Sequence, residues 1–200
     1  TLERSDDELG KVVLPTADQA CWAFTYRRVG ELRCLTAMQT PVGAREVIEY
    51  KDDGHALPGG QGRTVPYVRR HVISPGAGQP DVETHYAFSS NNFLGNGTGV
   101  SWDNDGLDNL YKFTGSRFVY SSTASHYQDG AALRTITREF NRFHLLTAQV
   151  TTQQGCIETA TTTYHELSDL SFADQPEHFQ LPQTVTTEWR LQGNPQARRS

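Results

Sequence analysis

The chain has 200 residues, enough for one domain or one slab of a larger one, and its 36% hydrophobic and 20% charged content supports a core beneath a large wet surface. A net charge of −5, with basic residues only in pairs such as Arg27–Arg28, Arg69–Arg70 and Arg198–Arg199, argues against a nucleic-acid partner. No apolar run approaches the roughly 18 residues of a membrane helix, so no membrane segment is expected.

The chain starts at Thr1 and holds one methionine, Met38, so it reads as a piece of a longer product whose export signal lies elsewhere. Residues 1–19 read as an extension. Period-2 alternation then predicts strands over Ala20–Val29, Leu32–Met38 and Glu46–Tyr50. Lys51–Thr64 (KDDGHALPGGQGRT) carries every loop signal. Strands Tyr67–Ile73 and Val82–Phe88 flank a long tip, Ser74–Asp81. After the polar stretch Ser89–Asn109, strands are expected at Phe113–Ser121, Leu133–Phe140, Leu145–Thr151, Ile157–Tyr164 and Thr184–Leu191. Turns at Gln128-Asp129-Gly130 and Gln153-Gln154-Gly155 each separate two of them. A short helical turn, capped by Asp174, is expected near Asp174–Phe179. The fold expected is all-β, an antiparallel meander of hairpins over 20–191, followed by a tail over 192–200.

Two segments repeat. Leu35-Thr36-Ala37, then Gly43, then Tyr50 matches Leu146-Thr147-Ala148, then Gly155, then Tyr164. Each is strand, glycine turn, strand and tyrosine. The glycine suits a turn that needs positive φ, and the tyrosine can lie over the hairpin with its hydroxyl wet. Such a unit cannot bury its face alone and is expected to stack on copies of itself.

The first of these hairpins, at 35–54, resembles an RHS or YD repeat, although it has Tyr50-Lys51-Asp52 where that pattern has Tyr-Asp; the second, at 146–166, departs further with Tyr164-His165-Glu166. A longer series runs from about Asp81 to Trp189. It includes Asn92-Phe93-Leu94-Gly95, Leu110-Tyr111-Lys112, Tyr120-Ser121-Ser122-Thr123, Phe140-Asn141-Arg142-Phe143-His144-Leu145-Leu146 and Phe179-Gln180-Leu181-Pro182. In that order it resembles the middle region of the B component of insecticidal toxin complexes and its SpvB-type relatives. The resemblance implies a non-catalytic segment of a secreted bacterial toxin, part of a β-sheet shell that encloses a toxic domain. Its partners would be the rest of the same large chain and other toxin-complex components, made in the cytoplasm before release. No toxic or self-cleaving residues carry over.

Asp103-Asn104-Asp105-Gly106-Leu107-Asp108-Asn109 places alternate oxygens around a glycine, as a calcium loop does, with Asp103, Asp105 and Asp108 as ligands. The EF-hand pattern fails because Lys112 stands at the bidentate glutamate position. The alternative is an Asx-rich turn bonding its own backbone, and no other cofactor is expected. Seven histidines show no zinc spacing, and His85 and His144 read as ordinary sheet residues. Gly115-Ser116 lacks the glycine of a nucleophile elbow. Glu83, Glu139 and Glu158 leave a glycosidase-type carboxylate pair open. Cys21 and Cys34 can face each other across a hairpin as a disulfide, or stand with Cys156 as half-buried thiols. The competing reading is a carbohydrate- or protein-binding module using Trp22, Trp102, Trp189 and the Asn91–Asn109 loop.

Overall fold

A computed structural model describes residues 1–5, 8–60, 62–115, 117–194 and 198–199. Among these residues, thirteen strands form one open sheet in which each strand pairs with its neighbours in sequence. They are β1 (Leu2–Ser5), β2 (Glu8–Val13), β3 (Cys21–Val29), β4 (Leu32–Gln39), β5 (Arg45–Ala56), β6 (Thr64–Ser74), β7 (Val82–Phe88), β8 (Val119–Gln128), β9 (Ala131–Asn141), β10 (Leu146–Gln153), β11 (Cys156–Tyr164), β12 (Pro182–Leu191) and β13 (Arg198–Arg199). All pairings are antiparallel. The chain is an all-β antiparallel meander.

Tight turns sit where the sequence places them. Asp129 and Gly130 join β8 to β9, and Gln154 and Gly155 join β10 to β11, all four at positive φ. Two central residues of that kind match the right-handed twist of the paired strands.

Five expectations need correction. The stretch read as an N-terminal extension contains β1 and β2, and the stretch read as a C-terminal tail over 192–200 contains β13, paired with β12. The stretch read as a loop from Lys51 onward is strand to Ala56, because a register shift between Lys51 and His55 lets β5 bend and resume pairing at His55–Val65. Gly54 sits in that shift, where an added Cβ would lie 2.4 Å from the Val65 carbonyl oxygen. Strand β8 begins only at Val119, since Phe118 is 5% exposed and packs as part of a loop. The helical turn is a 3-10 turn at Phe172–Asp174 with Ser171 as its cap residue, its hydroxyl on Asp174 Oδ2 at 2.5 Å.

The sheet is one layer thick. Two connections, described at 89–115 with 117–118 and at 165–181, fold back over it. Of the eight buried apolar residues among those described, Leu57, Leu110, Phe118, Phe143 and Phe179 stand outside the strands. Most of the core therefore belongs to the connections, with no second sheet among the described residues. The surface is 12,802 Å², about a third above the roughly 9,400 Å² expected of a compact chain of 22.3 kDa.

Candidate functional site

Cross-strand pairing assigns side chains to the two faces, because directly opposed residues project to the same side. One face carries Val12 with Trp22, Phe24 with Met38, Ile48 with His71, Ile73 with Val82, and Tyr86 with Ala124 and Ile136. Of these, Ile136 is buried and Val82 exposed, while the others are half-buried. The other face carries Thr123 with Thr137, Ser125 with Thr135, Thr161 with Thr186, and Glu49 with Arg70 and His85. Its hydroxyls bond in pairs, Thr123 to Thr137 at 3.1 Å and Ser125 to Thr135 at 3.3 Å.

An ion cluster crosses three strands of this polar face. Arg70 meets Glu49 at 2.8 Å and Glu83 at 2.8 Å, and His85 meets Glu83 at 2.9 Å. The Arg70 guanidinium first, and His85 second, hold the Glu83 carboxyl down to about 2. Glu139 lies on the same face, but six residues along and two strands over from Glu83, roughly 22 Å at ordinary strand spacing. Glu158 is on the opposite face, beside Trp189. A hydrolytic pair needs carboxyls within about 10 Å, so these three do not form one.

The repeated hairpins share a bulge and a tyrosine contact, although the turn between their strands is longer in the first. Thr25 opposes Ala37 and Tyr26 opposes Leu35, leaving Thr36 as the extra residue of a bulge. Glu139 opposes Ala148 and Phe140 opposes Leu146, leaving Thr147 in the same position. The Thr36 hydroxyl donates to the Thr25 carbonyl and that of Thr147 to the Glu139 carbonyl. The Tyr50 hydroxyl donates to the Leu35 carbonyl at 2.9 Å, and the Tyr164 hydroxyl to the Leu146 carbonyl at 2.9 Å. Opposite each tyrosine the register shifts again, at Arg69 and at Gln183. Gly43 and Gly155 both have positive φ. The tyrosine hydroxyl thus bonds the backbone of its own unit.

The aspartate-rich segment is pinned by side chains of the chain. Lys112 Nζ lies 3.2 Å from Asp103 and 2.6 Å from Asp105, and this ammonium lowers the Asp105 carboxyl. Asp108 Oδ1 accepts the Leu110 N–H and Oδ2 meets His144 Nε2 at 2.7 Å. Among the described residues, no group of three or more His, Cys, Asp or Glu is placed to hold a metal ion. The calcium ligands read from the sequence are therefore split between a lysine and a histidine.

His144 is a turn residue at φ 61, not a strand residue. Its Nδ1 lies 2.7 Å from the Tyr120 hydroxyl, completing a Tyr120–His144–Asp108 chain from sheet to loop. Burial raises the Tyr120 hydroxyl well above its usual value, the reverse of nucleophile activation, so it serves as a hydrogen-bond donor. Beside it, Arg142 is 3% exposed and donates to three main-chain carbonyls: Phe113 at 2.5 Å, Ser168 at 3.1 Å, and Leu170. Burial lowers its pKa, and its guanidinium lies 4.3 Å from the Phe143 ring centroid. Asn141 Oδ1 accepts the N–H groups of Phe143 and Leu145 and fixes the turn. One arginine thus fastens both covering loops.

The three cysteines are free. Cys34 opposes Arg27 and Cys21 opposes Val13, so the pair that a disulfide would join lies on different strand registers. Ser116 lies outside the described residues. Trp22 and Trp189 stand on β3 and β12, about 43 Å apart along the sheet at ordinary spacing, and Trp102 is on the covering loop, so they form no single aromatic platform. No pattern in the sequence points to His55, which the bend in β5 carries among the rings of Tyr67, Phe88 and Phe93. No protein-family model matches the chain, and neither a curated protein nor a solved structure matches it.

Proposed function

We propose that this chain is a non-catalytic wall segment, part of the β-sheet shell of a secreted bacterial toxin-complex protein that encloses a toxic domain. The observation that supports this most is the sheet itself: a single two-faced layer with about a third more surface than a compact chain of its mass. A wall of this kind gains its stability from neighbours on its apolar face and at its edges. The duplicated bulge-and-tyrosine hairpin supports the same reading, since a repeated unit extends a sheet without needing a new core. The remainder of the parent chain and other complex components are the partners, and the ordered series from Asn92 to Pro182 is what suggests the toxin family.

Size-exclusion chromatography with light scattering over a concentration series tests this. An unpartnered wall segment should self-associate in a concentration-dependent way when isolated. A monodisperse monomer with a sharp, reversible melt at high temperature contradicts it.

A further inference from the structure

The covering loop and the apolar face form an open-sided cavity of about 210 Å³ that neither the sheet nor the shell reading uses. Its walls include Phe88 of β7, Phe93 of the loop, Tyr120 of β8 and Phe140 of β9, and His55 of β5 lines it as well. His55 is 7% exposed. Its ring centroid lies 4.7 Å from that of Phe88, 5.1 Å from that of Phe93 and 4.9 Å from that of Tyr67. Those rings give it packing but no hydrogen bond, and the described residues supply its ring nitrogens with no donor or acceptor.

The neighbouring polar groups are already engaged. The Asn91 amide donates to the Val119 carbonyl and the Asn92 amide to the Ala56 carbonyl, while the Tyr120 hydroxyl is held at His144. Beside the serines at 121 and 122, His55 is the polar side chain left to address a guest. A neutral imidazole offers one acceptor nitrogen and one N–H, and burial favours that neutral form by lowering the His55 pKa. Phe88 and Phe93, 37% and 42% exposed, leave ring surface open on the approach.

We propose that this cavity is a binding site for a single aromatic ring bearing an O–H or N–H donor, a phenol or indole, that hydrogen-bonds to His55. The volume is right, since an apolar cavity of about 150 Å³ accepts benzene. The ring walls suit edge-to-face contacts with an aromatic guest. Discrimination follows because a guest that displaces solvent from the His55 nitrogens without offering a donor leaves the imidazole unpaired. The ring can come from a free small molecule or from a tyrosine or tryptophan side chain of a bound polypeptide.

The test is a titration of the intact chain with p-cresol and with toluene, followed through the His55 imidazole resonances by NMR. The site predicts p-cresol binding at least tenfold tighter than toluene, with His55 shifting. His55→Phe, which keeps a ring in the aromatic cluster, should bring the two ligands to similar affinity by weakening p-cresol about tenfold. Equal affinities in the unaltered chain, or binding of neither up to its solubility, would overturn the proposal without recourse to a variant. A second titration with N-acetyltyrosine amide separates the sources: binding comparable to p-cresol assigns the site to a side chain, and exclusion assigns it to a free phenol.

Discussion

At the residue scale, the tyrosines of the two hairpins carry the clearest expectation. Each donates one hydrogen bond from a half-buried hydroxyl to a leucine carbonyl. Tyr50→Phe and Tyr164→Phe should each lower stability by about 1 kcal/mol in urea unfolding, with similar values because the two sites are equivalent. Markedly unequal costs would mean that the hairpins are not one repeated unit. The ion cluster predicts a pH effect of definite sign. Glu83 titrates at about 2 in the fold against an ordinary value of 4.5, so its stabilisation is complete above about pH 4.5 and is lost as pH falls toward 2. Glu83→Gln should flatten that part of the stability profile. His55 acts in the same direction at higher pH: its lowered pKa makes protonation of the unfolded chain the easier, so stability declines as pH drops below 6.5. Much of this scale was legible in advance. Leu-Thr-Ala, the turn glycine and the tyrosine were visible as a pattern, but that the extra threonine forms a bulge follows only from the strand register.

At the element scale, Arg142 binds two loops that are far apart in sequence. Arg142→Met should cost about 2–4 kcal/mol, because three carbonyls lose a charged donor. It should also open 103–117 and 165–181 to limited proteolysis before the strands unfold. Arg142→Lys should recover little of this, since an ammonium cannot reproduce the planar fork. Intact loops in Arg142→Met would show that Phe143 and Phe179 hold them without the arginine. The strands were readable from alternation, and the hairpin turns from Asp-Gly and Gln-Gly. The exceptions have physical causes. Strand β8 is rich in serine, threonine and alanine, which signal a strand weakly, whereas Phe113 and Phe118 suggest one and instead pack against each other from a loop. Asp103, Asp105 and Asp108 read as a cation site because sequence shows spacing but not that Lys112 and His144 reach them.

At the scale of the whole molecule, two properties follow from one layer of sheet. The polar face is self-sufficient, its hydroxyls and ions paired across strands. The apolar face is not: from Val12 and Trp22 through Phe24, Met38, Ile48 and Ile73 it stays half-buried at best. Composition could not announce this, since 36% hydrophobic residues suit a closed core equally well. It emerges when pairing places Val12, Trp22, Phe24, Met38, Ile48 and Ile73 on one side, while fewer apolar residues, Val47, Val72 and Val150 among them, stand on the other. The most direct measurement is fluorescence of the dye ANS with the folded chain, compared between the unaltered protein, Phe24→Glu on the apolar face and Thr161→Glu on the polar face. The native chain should bind the dye strongly, with binding retained in Thr161→Glu and reduced severalfold in Phe24→Glu. A native chain that does not bind the dye, or that loses it equally with either substitution, would contradict an unpartnered apolar face and with it the wall reading.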